Sequence, residues 1–230
     1  MKTLHDARRR AHCLLVAGCL ASLAAGALAQ DAAPHPCGAL KNAYGPFDYR
    51  TRRDMLGVVE AVHFLPDVER LNRPTRMNFG DLDYTLRASP NHHRALISLA
   101  RYGETRGSMP DNARSVDCYF DRAIRFAPDD PVVRMIYASL LVRTAREADA
   151  LKQIDYVAQG ANDNPFTHYN LGLLYLEIKR YDKALAQAHA ALQLGLPRTE
   201  LRDALKKAGK WAEPRAVAPG EAASAASPAS

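Results

Sequence analysis

The sequence lacks the short motifs that mark the common kinds of enzyme active site. It contains no GxSxG, HExxH, P-loop, CxxC or haem-attachment motif. Such motifs place a nucleophile, a pair of metal ligands, a phosphate-binding loop or a redox pair at a fixed spacing. We therefore predict a protein that is not an enzyme and that uses no cofactor and no metal ion.

Clusters of positive charge are also missing once the N-terminus is set aside. The formal net charge of +6 includes four positive and one negative side chain within residues 1–29, so the rest of the chain carries +3. That remainder has no block of lysine and arginine. Because nucleic-acid-binding proteins usually concentrate positive charge on one face, we expect no nucleic-acid partner.

Long apolar runs are confined to the N-terminus. Residues 11–28 are almost wholly apolar and follow the basic stretch Arg8-Arg9-Arg10. The run ends at Ala27-Leu28-Ala29, which has the small-x-small pattern of a signal-peptidase site. We therefore predict that residues 1–29 are an export signal and that the mature chain is periplasmic, with no integral membrane span.

A lipoprotein signal is the alternative interpretation of the same residues. Val16-Ala17-Gly18-Cys19 resembles such a signal and would leave Cys19 lipidated at the outer membrane. We favour soluble export because the apolar run before Cys19 is short and contains His12, and because the residues after Cys19 stay apolar.

Cysteine is scarce, with four residues in the whole chain. Cleavage after residue 29 would remove Cys13 and Cys19 and leave Cys37 and Cys118. An even pair in an exported protein predicts a disulfide between Cys37 and Cys118, which would close a loop of about 80 residues and stabilise the fold by about 4 kcal/mol. The alternative is two unrelated thiols.

Residues 164–196 have the pattern of two short helices packed side by side. Asn164 is a favourable helix cap and Pro165 a favourable first helical residue. Counted from Pro165 as position 1, a defined order of large and small residues follows: Leu171, Gly172, Tyr175, Tyr181, Ala184, Ala191 and Leu192 at positions 7, 8, 11, 17, 20, 27 and 28.

The same pattern recurs earlier in the chain, where Asp130-Pro131 and Ser89-Pro90 have the same form as Asn164-Pro165. The interval from Pro131 to Pro165 equals the period of the tetratricopeptide repeat (TPR), about 34 residues. The interval from Pro90 to Pro131 is seven residues longer, and these extra residues fit an insertion in the stretch GETRGSMPDNA. This order and period resemble the TPR family.

The resemblance implies an all-α fold, a TPR-type solenoid of helical hairpins with about three repeats between two caps. The predicted organisation is as follows: export signal 1–29, extended arm 30–50, helical cap 51–89, TPR domain 90–211 with repeats near 90–130, 131–164 and 165–198 and a capping helix 199–211, and a disordered tail 212–230.

Members of this family bind peptides or partner helices in a concave groove formed by the first helix of each repeat. The resemblance therefore implies a set of partner-binding residues: Arg94, Arg101, Tyr102, Met135, Arg143, Phe166, Tyr169, Asn170 and Leu173. Other residues at groove positions are Asn91, Ser98, Val132, Ser139, Val142, Leu176 and Glu177. The Asn170 amide both donates and accepts, which suits a peptide bond. For Arg94, Arg101 and Arg143 the alternative is a solvated helix face.

Three functional hypotheses follow. The leading one is a non-enzymatic adaptor that holds a peptide or protein segment of an envelope-assembly system, with an apolar anchor and an acidic or carboxylate end. The alternative is a structural subunit of a secretion, pilus or polysaccharide-export complex. A third is an enzyme or metal site built from His63, Asp81, His92 and His93. We disfavour it because adjacent histidines on a helix point about 100° apart.

Overall fold

The computed structural model describes residues 35–106, 109–111 and 113–214, the side chains of residues 75, 76 and 106 excepted. This part of the chain is helical and contains no strand, so the all-α prediction is confirmed. A 3-10 turn at Arg53–Met55 is followed by ten helices: α1 Gly57–His63, α2 Pro66–Glu69, α3 Thr75–Ala88, α4 His93–Arg106, α5 Val116–Phe126, α6 Pro131–Arg143, α7 Glu147–Gln159, α8 Pro165–Glu177, α9 Tyr181–Gln193 and α10 Glu200–Lys207.

The predicted signal at residues 1–29 and the tail from residue 215 lie outside the described residues. None of the helices in the described part is long and apolar enough to cross a membrane.

Helices α6 and α8 begin in the same way, at Pro131 and Pro165, and both contain 13 residues. The Asp130 carboxylate accepts a hydrogen bond from the backbone N–H of Val132, and the Asn164 side-chain oxygen accepts two from the first turn of α8. The two predicted caps are therefore confirmed. Each satisfies backbone donors that a helix start leaves unpaired, a contribution of about 1 kcal/mol.

Each of these helices turns back on the next through a tight three-residue link. Ala145 and Lys179 occupy the same place in the two links and adopt φ of 59° and 57°. The backbone N–H groups that follow them, at Arg146 and Arg180, bond to Leu141 O and Tyr175 O. Such links donate hydrogen bonds to carbonyl groups at the end of the first helix and place the second helix antiparallel to it.

Most of the buried apolar side chains in the described residues belong to two clusters. The C-terminal cluster joins α6 to α10 and includes Leu171, Ile154 and Leu201. The N-terminal cluster joins α2 to α6 and includes Leu96 and Phe120.

Gly172 shows how closely two helices approach in the C-terminal cluster. A Cβ atom built on Gly172 would overlap Cδ2 of Leu201 on α10. The small residue predicted at this position therefore makes room for α10 rather than for α9 alone.

The predicted disulfide between Cys37 and Cys118 is present and ties the N-terminal arm to α5. The carbonyl oxygen of Gly38 accepts a hydrogen bond from Arg125 at 3.0 Å, and that of Ala39 accepts one from Arg122. The arm therefore covers the Arg122 side chain, which is only 2 % exposed.

The region predicted as a helical cap, residues 51–89, contains three helices, α1 to α3. The chain breaks at Phe64 after α1, and Val58 and Val62 on α1 are 61 % and 54 % exposed. Helix α3 starts at Thr75.

The start of the first repeat was predicted too early. Ser89 does not cap the next helix, because α4 begins at His93 and the ring nitrogen Nδ1 of His92 accepts from the Ala95 N–H.

Candidate functional site

A cleft of about 420 Å³ lies along α4, α6 and α8, the first helices of three successive pairs. We call it the central groove. Its lining residues come from all three helices: Ile97, Ala100, Val132, Met135, Ile136, Ser139, Arg143, Asn170, Leu173, Leu174 and Glu177. The volume lies in the range of sites that bind small molecules or short peptide segments.

The floor of the central groove is apolar, and its rim is polar. Ile97 is 43 % exposed at one end of the floor, and Met135 and Leu173 continue it across α6 and α8. On the rim, Asn170 and Glu177 are exposed along α8. A groove with this anatomy offers apolar contact area and a few polar groups that fix orientation.

The rim cation Arg143 is held by its own neighbours. Its Nε donates to Glu104 Oε1 at 2.7 Å, and its guanidinium also donates to Ser139 Oγ. Glu104 lies on α4, so this ion pair links the C-terminal end of α6 to α4 across the groove.

Four of the predicted partner-binding residues lie together in the central groove: Met135, Arg143, Asn170 and Leu173. Of the other groove positions, Val132, Ser139 and Glu177 lie there too. Their shared location follows from the spacing of α6 and α8, which puts equivalent positions of the two helices side by side.

Three predicted aromatic residues lie elsewhere. Phe166 is exposed but does not line the groove. Tyr169 is buried, and its hydroxyl donates to Glu200 at 3.1 Å, so it attaches α10 to α8. Tyr102 is 1 % exposed and packs in the N-terminal cluster, where no groove ligand can reach it.

Arg94 and Arg101 do not line the central groove either, since both contact Glu69 of α2. The Arg94 guanidinium makes two hydrogen bonds to the Glu69 carboxylate, at 2.8 and 2.6 Å. This pairing raises the pKa of Arg94 and lowers the pKa of Glu69. Arg101 donates to the Glu69 backbone oxygen at 2.7 Å. These two predicted partner-binding residues therefore make contacts within the chain, on the α2 side of α4.

One frame error explains both the misplaced Tyr102 and the missed residue Ile97. With α4 starting at His93, Ile97 takes the position that Met135 takes in α6, and Tyr102 moves to an inward-facing position. The signal that could have shown this was His92, because an imidazole nitrogen can accept from backbone N–H groups as Asn and Asp do.

The histidines of the N-terminal region do not meet at one site. His63 Nδ1 pairs with Asp81 at 2.9 Å, His92 Nε2 with Glu60 at 2.9 Å, and His93 Nε2 with Asp130 at 2.7 Å. Of the four residues in the third hypothesis, His63 and Asp81 therefore pair with each other, whereas His92 and His93 pair with residues outside the group.

Among the described residues, one group could supply three ligands to a metal ion: His35, Cys37 and Asp121. The Cys37 sulfur in that group is already bonded to Cys118. A disulfide sulfur is not a thiolate ligand, so this group does not make a metal centre in the oxidised protein.

A second cleft of about 450 Å³ lies where the loops before α6 and α8 meet the end of α7. The Arg134 guanidinium there lies 3.7 Å from the centroid of Tyr156 and donates to Gln153 at 2.9 Å. The Arg134 guanidinium therefore has two partners in this cleft, although its buried Nε makes no hydrogen bond within the described residues. In the central groove, the exposed Asn170 side chain makes no hydrogen bond to the described part of the chain and is open to a ligand. We therefore take the central groove as the candidate site.

No protein-family model matches this chain, and no curated protein is significantly similar to it.

Proposed function

We propose that this protein is a non-enzymatic periplasmic adaptor, built as a TPR-type solenoid, that holds a peptide or protein segment of an envelope-assembly system. The solenoid part of the proposal rests on the offset of one repeat period between α6 and α8, on their matching caps, and on the matching positive φ angles at Ala145 and Lys179. A structural repeat requires that the same cap and the same link recur at a fixed spacing along the chain.

The observation that carries the functional proposal is the central groove itself. Three consecutive first helices line it, its floor is apolar, and Asn170 presents an exposed amide at its rim. An amide in that position could donate to and accept from the backbone of an extended segment, while the floor takes its apolar side chains.

Export is supported by the disulfide. Disulfides persist in oxidising compartments such as the bacterial periplasm and are rare in the cytosol. The Cys37–Cys118 bridge closes a sequence separation of 81 residues and fixes the arm on α5. In the reducing cytosol this disulfide would be expected to stay reduced, as two thiols.

Site-specific photo-crosslinking in living cells tests the groove. A photoreactive residue at Ile97 would face the groove, and the same residue at Tyr156, which is 51 % exposed, would face away from it. We expect a defined crosslinked partner from position 97, lost when Asn170→Ala is combined with Leu173→Asp, and no such partner from position 156. A partner captured equally at both positions would contradict the groove assignment.

A specific observation also supports the second candidate, a structural subunit of an envelope complex. Val58 and Val62 lie one turn apart on α1 and are both more than half exposed, next to Ala61, which is also exposed. An exposed apolar patch of this kind is a surface that a partner could cover. A crosslinker at Val62 that captures a partner when position 97 captures none would favour this candidate.

A further inference from the structure

We infer that the segment held in the central groove is apolar and positively charged, and that its lysine or arginine pairs with Glu177. This inference rests on the proposed groove function and specifies its ligand. It replaces the acidic ligand expected from the sequence, which depended on three arginines being available.

None of those three arginines is an unpaired cation in the lining of the central groove. Arg143 is paired with Glu104 and Ser139, and Arg94 makes two hydrogen bonds to the Glu69 carboxylate. Arg101 donates to the backbone oxygen of Glu69. The charges of Arg94 and Arg143 are already balanced by Glu69 and Glu104, and Arg94 and Arg101 do not line the groove, so an acidic ligand gains less there than a free arginine would give it.

Glu177, in contrast, is an anion without a partner among the described residues. It is the last residue of α8, it is exposed, and it lines the central groove. Its carboxylate makes no hydrogen bond and no ion pair within the described part of the chain, and neither Lys179 nor Arg180 reaches within 4.0 Å of it.

The position of Glu177 in its helix adds to the negative potential. The C-terminal end of a helix carries a partial negative charge from its free carbonyl groups, so a carboxylate there is unfavourable. Helix α8 has no basic residue in its last turn to offset it. The sequence therefore places two negative contributions at the same end of the groove.

In the described part of the chain, the last residue of α6 is a paired cation, whereas the last residue of α8 is an unpaired anion. Arg143 is the last residue of α6, as Glu177 is of α8; it complements the negative end of its helix and is itself neutralised by Glu104. A ligand cation beside Glu177 would give the end of α8 the same pairing of opposite charges. The apolar floor of the groove would contact the neighbouring side chains of the ligand.

The test uses two pools of fluorescein-labelled 12-residue peptides made of Ala, Leu, Ile and Ser, identical except for a central lysine in one and a central glutamate in the other. Binding to the purified protein is followed by fluorescence anisotropy at low ionic strength. We expect the lysine pool to bind about fivefold more tightly, the size of an exposed ion pair, and the preference to shrink as salt is added.

Three variants locate the effect. Glu177→Gln should bring the ratio of the two affinities to about one, and Glu177→Lys should reverse it. Glu147→Gln is the matched control, because Glu147 is also exposed and has no side-chain partner in the described part of the chain, but lies outside the groove. It should keep the wild-type ratio. Circular dichroism confirms that each variant is folded.

The outcomes separate the inference from the function on which it rests. Equal binding of both pools, or tighter binding of the glutamate pool, would overturn the charge assignment and leave the groove as a peptide site. No binding of either pool, with no partner crosslinked at position 97, would overturn both. A partner crosslinked there should be attached through a segment that contains lysine or arginine beside apolar residues.

Discussion

The two halves of the molecule are stabilised by different kinds of contact. In the described part of the N-terminal half, residues 35–130, eight polar or charged residues are buried: Asn78, Thr85, Ser89, Asn91, His92, Ser98, Arg122 and Asp130. In the described part of the C-terminal half, residues 131–214, one is buried, Thr167. The first half therefore depends on specific hydrogen bonds and the second on apolar packing.

The difference reflects how each half is built. The C-terminal half repeats one local solution, a capped helix and a tight link, and buries small and aliphatic side chains between helices. The described part of the N-terminal half has helices of unequal length, from four to 14 residues, and an irregular arm, which leave backbone and side-chain polar groups that must be paired individually. A buried polar group contributes little when paired but costs much when its partner is removed. The N-terminal half should thus be sensitive to pH, oxidation state and single polar substitutions.

The largest effect is expected from removing the disulfide. Replacing Cys37 and Cys118 together by serine should lower the free energy of unfolding by about 4 kcal/mol, because the closed loop of 81 residues then gains its full entropy in the unfolded chain. Chemical denaturation measures the loss, and hydrogen exchange shows where it falls. We expect faster exchange in α5 while α8 and α9 remain protected.

A cavity in the C-terminal cluster should destabilise the other half of the molecule. Leu171→Ala leaves a cavity in its cluster and should cost about 3 kcal/mol. The Leu171→Ala protein should exchange faster in α8 and α9 first. Uniform loss of protection along the chain in both variants would mean that the two halves unfold as one unit and are not stabilised separately.

The stability of the N-terminal half should also depend on pH, through His92. His92 is fully buried against Tyr49 and Phe64, and burial lowers its pKa from 6.5 to about 4 despite the hydrogen bond to Glu60. Between these values the unfolded chain binds a proton that the folded chain does not, so this contribution is complete above pH 6.5 and is lost as the pH falls. We expect about 2 kcal/mol less stability at pH 5 than at pH 7.

The control for this prediction is His92→Asn, which keeps an oxygen able to cap α4 but has no titrating ring. Its stability at pH 7 should be lower, because the contacts with Tyr49 and Phe64 are reduced. The test is the difference in slope: the variant should lose less stability than the wild type between pH 7 and pH 5. Parallel curves for the two proteins would show that another group causes the dependence.

The caps of α6 and α8 allow a matched test across the boundary between the halves. Asp130→Ala and Asn164→Ala each remove one helix cap, at equivalent positions of the two helices. Asn164→Ala should cost about 1 kcal/mol. Asp130→Ala should cost about 3 kcal/mol, because the Asp130 carboxylate is buried and also accepts from Asn91 and His93. Equal losses of unfolding free energy would show that the extra contacts add nothing.

How much the sequence could predict differs between the halves for the same reason. The caps at Asp130 and Asn164 and the repeat period are local patterns, and they placed α6 and α8 correctly. The start of α4 was missed because His92 caps it only when Glu60 and Tyr49, which are distant in the sequence, hold its ring in place. The state of Arg94 depended on a distant carboxylate in the same way. Long-range polar pairs leave no periodic trace in a sequence.

The smallest expected effect concerns α1, a short helix on which Val58, Val59 and Val62 differ in burial. The structure buries Val59 and exposes the other two. Val62→Ser should therefore change the free energy of unfolding by less than about 0.5 kcal/mol. Val59→Ser, its matched control, should cost about 2 kcal/mol because it puts a hydroxyl into an apolar environment. If Val62→Ser proves as costly as Val59→Ser in the purified protein, the exposed patch is covered in solution, and an association through α1 would have to be added to the N-terminal half.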